Sequence, residues 1–195
     1  MSAKIMQEVE NRIVGVSELR VEADGKVRKI VGYAAKFGVR SSVIAGMFRE
    51  TIQVGAFAKD LPGADVRFLV NHDAGRMLAR TKSGTLRVSE DAVGLRFDAT
   101  LPDTTLASDV VEQIQRGDLD SMSFAFNTVT DSWGEDEQGF ALRTLMQVRL
   151  HDVSLATFPA YDLTEVALRE LQVFRKQQGR TKALRARLRL ISLES

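Results

Sequence analysis

The 195-residue chain contains no cysteine. That absence excludes disulfides, thiolate zinc sites and a cysteine nucleophile together, and it fits a reducing compartment. Long apolar runs are missing too. Arg, Lys, Asp or Gly interrupts every candidate before the ~18 residues that a membrane span needs, so no membrane partner is expected. The N-terminus, MSAKIMQEVENR, has no apolar stretch of the signal-peptide kind, and the chain is expected to stay where it is made. Histidine is scarce: His72 and His151 are the only two. General-base chemistry near neutral pH would therefore fall to one of them.

What is present describes a folded protein. Hydrophobic residues make up 44% and charged residues 27%, which excludes a disordered or collagen-like chain. The length suits one good-sized domain, or two small ones. Charge is balanced overall at +1 but not along the chain. From residue 165 onward eight basic residues face three acids, a net +5, which leaves −4 on residues 1–164. The division expected is a body over residues 1–170 and a basic, partly helical tail over residues 171–195. Such a tail is attracted to acidic partners or nucleic acid; a solvated helix face would carry the same charges.

The patterning is β-rich. Arg12–Val21 and Val27–Phe37 flank Asp24-Gly25, a hairpin signal. Val54–Leu61 reads as a short helix before the Pro62-Gly63 turn. Val66–His72 reads as a strand with Val66, Phe68, Val70 and His72 on one face. Thr85–Val88 and Leu95–Leu101 form another hairpin, and Thr104–Arg116 a helix closed by Gly117. A strand over Met122–Thr130 precedes a polar loop, DSWGEDEQG, and strand material follows over Phe140–Thr157 until Pro159. Residues 163–190 look helical. The class is α+β.

Three segments can carry chemistry. His72 ends an apolar strand where a polar turn begins, a place where a rigid element positions a group and a loop gives access. In Ser121-Met122-Ser123-Phe124-Ala125-Phe126, alternation sends the large residues to one face and Ser121, Ser123 and Ala125 to the other. In His151-Asp152-Val153-Ser154-Leu155, the acid shares a face with Ser154. An acid in an apolar strand needs a partner, and a histidine ring N–H suits it. Serine, histidine and an acid are the ingredients of acyl transfer, but spacing alone does not bring them together. A divalent metal site from His72, His151, Asp73 and Asp152 stands beside that reading.

Several segments in this order resemble the prohead (capsid maturation) proteases of tailed bacteriophages, which are related in fold to the herpesvirus assembly proteases. They are Val54-Gly55-Ala56-Phe57, Leu69-Val70-Asn71-His72-Asp73, Arg80-Thr81-Lys82-Ser83-Gly84-Thr85-Leu86, Arg116-Gly117-Asp118, Met122-Ser123-Phe124 and the run from Asp152 to Tyr161. The resemblance spans roughly residues 27–169. It implies a mostly antiparallel closed β-barrel wrapped by helices, and a serine endopeptidase without metal or cofactor. It implies Ser123 as nucleophile, His72 as base and Asp152 as third member, with His151 competing for the third place because the herpesvirus relatives use a second histidine there. Many relatives have glycine where this chain has Ala125. The implied partners are the phage major capsid protein, the scaffold and further copies of the chain, as a homodimer or higher oligomer, and no nucleic acid is expected. The implied place is the host cytoplasm, inside the immature capsid. A non-catalytic capsid assembly module on the same fold is the competing function.

Overall fold

The computed structural model describes residues 8–15, 18–24, 27–158 and 165–191. Ten strands and two helices follow in the order β1 (Glu10–Gly15), β2 (Arg20–Asp24), β3 (Val27–Lys36), β4 (Phe48–Ile52), β5 (Arg67–Val70), β6 (Asp73–Arg80), β7 (Leu86–Glu90), β8 (Gly94–Thr100), α1 (Thr105–Arg116), β9 (Ser121–Glu135), β10 (Ala141–Ala156) and α2 (Glu165–Ile191). The α+β class is as expected.

Two sheets form. The larger runs β1-β9-β10-β5-β6, with β4 also paired to β10; the smaller runs β2-β3-β8-β7. Pairing is antiparallel except for β4 and β5, which lie parallel to β10. At sixteen residues β10 is long enough to carry both on one edge, β4 along residues 141–145 and β5 along residues 152–155. One core lies between the sheets. Ile30, Phe68, Phe97, Met122, Phe124 and Phe126 are all fully buried there. The expected closed barrel is not found among the described residues, where the ladders make two separate sheets.

Local chemistry explains several elements. Thr104 caps α1 by accepting from the Ala107 N–H at 3.3 Å, and Gly117 ends it at φ +80°, a left-handed conformation that costs glycine little. Gly94 begins β8 where a Cβ would stand 2.0 Å from the Ala35 carbonyl oxygen. Only glycine permits that approach.

Other expectations need correction. The run Arg12–Val21 is not one strand, because β1 joins the larger sheet while β2 pairs with β3 from Asp24↔Val27. Val54–Leu61 is a chain of turns rather than a helix. Most of its bonds span three residues, as in Ala56 N–H to Gln53 O and Asp60 N–H to Phe57 O, and Gly55 sits at φ +89°. The polar loop shrinks to a turn at Asp136–Gly139, since β9 continues to Glu135 and Trp133 pairs with Arg143. Strands β4 and β6 were not expected. Pro159, Ala160 and Tyr161 lie outside the described residues.

A second, smaller cluster of Ile44, Phe48, Ala141, Ala167 and Leu171 seats the start of α2, with Trp133 and Phe174 against it. The helix is continuous across residue 170. Beside this cluster the fully buried Arg143 bonds Glu10, Glu50 and Asp131, while Arg12 bonds Glu10 and Glu50. Burial pushes the Glu10 carboxyl upward, but the charges and hydrogen bonds of Arg143 and Arg12 outweigh it and hold Glu10 below its usual range. No helix among the described residues is long and apolar enough to cross a membrane.

Candidate active site

Strand β9 sets the floor. Met122, Phe124 and Phe126 point into the core with no exposed surface, and Phe124 stacks on Phe126 at 5.0 Å and meets Phe57 edge-on at 5.6 Å. This anchors the strand, so Ser123 is held on the opposite, outer face. The same face of β10 carries Ser154 opposite Ser123 and Asp152 opposite Ala125. A bulge makes that register possible: Leu150 pairs with Phe126 and Asp152 with Ala125, leaving His151 as the extra residue.

His72 arrives from a turn rather than from a strand. Strand β5 ends at Val70, and Val70 pairs with Asp73 across Asn71 and His72. Both central residues have positive φ, 54° and 56°, as a two-residue type I′ hairpin requires. Strand alternation would have left His72 on the core face with Phe68 and Val70. The left-handed turn carries it to the outer face instead. Such a conformation costs on the order of 1–3 kcal/mol for a non-glycine residue, and a clamp offsets it. Asn71 Oδ1 accepts from the Thr157 N–H at 2.9 Å and its hydroxyl at 2.7 Å. The Asn71 N–H donates to the Leu155 carbonyl at 2.8 Å, and the His72 N–H to the Ser154 hydroxyl at 2.8 Å.

The three residues singled out in the sequence meet. His72 Nε2 lies 2.7 Å from Ser123 Oγ, and His72 Nδ1 lies 2.7 Å from Asp152 Oδ1. With Nδ1 protonated toward the carboxylate, Nε2 is free to accept the serine proton. Ser123 is 1% exposed, and a groove of about 260 Å³ opens above it between Asn11 and Ile13 of β1 and residues 156–158. Ala125 is buried and does not line this groove.

His151 turns elsewhere. Its Nε2 lies 2.5 Å from Asn127 Oδ1, and burial holds it below the ordinary histidine value despite the nearby Asp152 and Asp60. Asp73 bonds the Gly75 N–H. His72, His151, Asp73 and Asp152 are thus not brought together around one point. Among the described residues no group of three or more His, Asp or Glu side chains is arranged to hold a metal ion.

The clamp residues Asn71, Ser154 and Thr157 were not recognised as functional in the sequence. Asn71 offered a signal, since asparagine favours the first place of a type I′ turn. The histidine that follows it, in place of the usual glycine, disguised that turn.

The geometry can be set beside known proteins. A search of curated proteins returns no match. Among solved structures the bacteriophage T4 capsid assembly protease, gp21, is similar, at 10% sequence identity and a TM-score of 0.49, over 76% of this chain and 98% of that one. The family described as caudovirus prohead serine protease matches residues 16–177, most of the length and all three residues of the hydrogen-bonded set. The chain belongs to the caudovirus prohead serine proteases.

Proposed function

We propose that this serine protease works through Ser123, His72 and Asp152. The observation that carries the reading is the unbroken chain of two 2.7 Å contacts from Ser123 Oγ through the imidazole to the Asp152 carboxylate. His72 Nε2 takes the hydroxyl proton as Ser123 Oγ attacks the scissile carbonyl. The tetrahedral adduct collapses when the same nitrogen protonates the leaving amine, giving an acyl-serine. Water, deprotonated by His72, then attacks the ester, and the proton returns to Ser123 as the acid leaves. Asp152 holds the tautomer and stabilises the imidazolium during each transfer.

The substrates in this reading are proteins enclosed with it in the immature capsid: the scaffold, or the scaffold-like N-terminal part of the major capsid protein, and the protease itself. The site of action is the prohead in the host cytoplasm, and the working form is a homodimer or higher oligomer. Residues 1–170 make up the catalytic body. Residues 171–195 make up a basic arm that recruits the body to an acidic capsid or scaffold segment.

Intact mass of the purified chain beside Ser123→Ala tests the catalytic reading. Self-processing should occur in the wild type and be absent from the variant. Equal processing in both would overturn it.

A further inference from the structure

Phe158 is 80% exposed, more than any other large apolar side chain among the described residues. It stands two residues past the end of β10, on the wall of the groove that holds Ser123 and His72. An aromatic ring left in water at that place loses the gain that burial would bring, unless something covers it when the protein works. Ile13 and Ala156 give the groove further apolar surface. Of its polar members, which also include Asn11, Ser123 and His72, Asn71 and Thr157 are bonded to each other. Apart from His72, no ionisable side chain among the described residues lines it.

A second cavity shows the contrast. It measures about 290 Å³, lies along β1 and shares only Ile13 with the groove. Arg12, Lys36, Arg40 and Glu50 line it. Among the described residues, charged side chains thus line the cavity along β1 and, His72 apart, not the groove over the nucleophile. A substrate carboxylate or ammonium entering that groove would be desolvated with no charged side chain among the described lining residues other than His72 to meet it, which is unfavourable. An apolar side chain would instead cover Phe158 and remove both surfaces from water.

We infer that Phe158, with Ile13 and Ala156, forms a subsite for a large uncharged side chain immediately beside the scissile bond. The inference rests on the proposed role of Ser123 and names the substrate class of that site: polypeptides cut next to Leu, Ile, Met or Phe and not next to Asp, Glu, Lys or Arg. Phe158 is a specificity-determining residue and takes no part in proton transfer.

The test is a mixture-based peptide library digested by the full-length protein, with products sequenced by mass spectrometry. One position flanking the cut should favour large apolar residues over charged ones by about tenfold or more. Because this is a ratio within one digest, an overall change in rate does not affect it. Phe158→Leu should keep the preference, Phe158→Ala should largely erase it, and Phe158→Lys should shift it toward Asp and Glu. The same library captured on Ser123→Ala protein reads the preference as binding without any cleavage. Cleavage by Ser123→Ala would count against the catalytic role alone. Acceptance of charged residues at both flanks, or a preference unmoved by Phe158→Ala and Phe158→Lys, overturns the subsite.

Discussion

The backbone N–H of His72 donates to the Ser154 hydroxyl at 2.8 Å, two residues along β10 from the carboxylate that bonds the ring of the same histidine. One face of one strand therefore holds both the main chain and the side chain of His72. The left-handed turn does not have to keep the imidazole in place unaided. Ser154 is fully buried, so its hydroxyl has little freedom to do otherwise.

Ser154→Ala should therefore harm activity more than stability. Leaving the His72 N–H without its acceptor costs about 1–3 kcal/mol, a modest fall in Tm. A displacement of the imidazole by a fraction of its hydrogen-bond length should lower kcat/KM by about 100-fold. Thermal melts and peptidase kinetics measured side by side separate the two. An active Ser154→Ala enzyme with an unchanged rate would show that the turn holds His72 without help.

Ser123→Ala should remove on the order of 10⁴–10⁶ in rate and leave the fold intact, because alanine already suits the neighbouring outward position 125. Ser121→Ala should be mild. The Ser121 hydroxyl donates to Asp120 Oδ1 at 2.8 Å and does not reach His72. Labelling by a fluorophosphonate followed by peptide mapping reads both variants. Labelling retained in Ser123→Ala and lost in Ser121→Ala would reverse the assignment.

Asp152→Asn should cut activity by about 10³–10⁴, since the amide disturbs the tautomer while leaving nucleophile and base present. His151→Gln should cost far less, because His151 bonds Asn127 and not His72. The opposite ranking in kcat would place the second histidine in the catalytic set.

Glu170 predicts a pH dependence of stability. Burial and the adjacent Asp131 carboxylate raise it from 4.5 to about 7, against the pull of Arg143. A carboxyl with a raised folded pKa binds its proton more tightly when folded. Its contribution is fully present below pH 4.5 and is lost as pH rises through about 7. Glu170→Gln stays neutral throughout, so its Tm relative to wild type should rise across that window and level off above it. A Tm difference that does not change with pH would mean that Glu170 titrates normally in the folded protein.

Two truncations test the arm. Ending the chain after Glu170 removes Leu171, which is 1% exposed, and Phe174 of the smaller cluster; ending it after Gln178 keeps both. The shorter chain should be less stable by about 2–5 kcal/mol, the usual cost of emptying a buried leucine site. Both should still react with a serine-directed probe, and both should fail to enter proheads. Loss of probe reactivity in the longer of the two chains, the one ending after Gln178, would tie the arm to the catalytic body.

The sequence by itself determined the strand-rich α+β class, α1 with its Thr104 and Gly117 ends, the outward face of Ser123 and the order of the family segments. Each of these depends on neighbours a few residues apart: alternation, capping and turn chemistry act within one element. Only the tertiary structure decided the rest. The type I′ turn at Asn71-His72 is held by Ser154, Leu155 and Thr157, some eighty residues away in the chain. Strand β9 extends through a polar run because Asp131 and Trp133 meet Arg143, Phe48 and Phe174. Which of His151 and Asp152 contacts His72 depends on a bulge that appears only when β10 is laid against β9. Local preference can state which way a side chain would face in an isolated element. Which partner stabilises a strained turn, an added strand or a displaced register is a long-range matter, and no pattern along the chain records it.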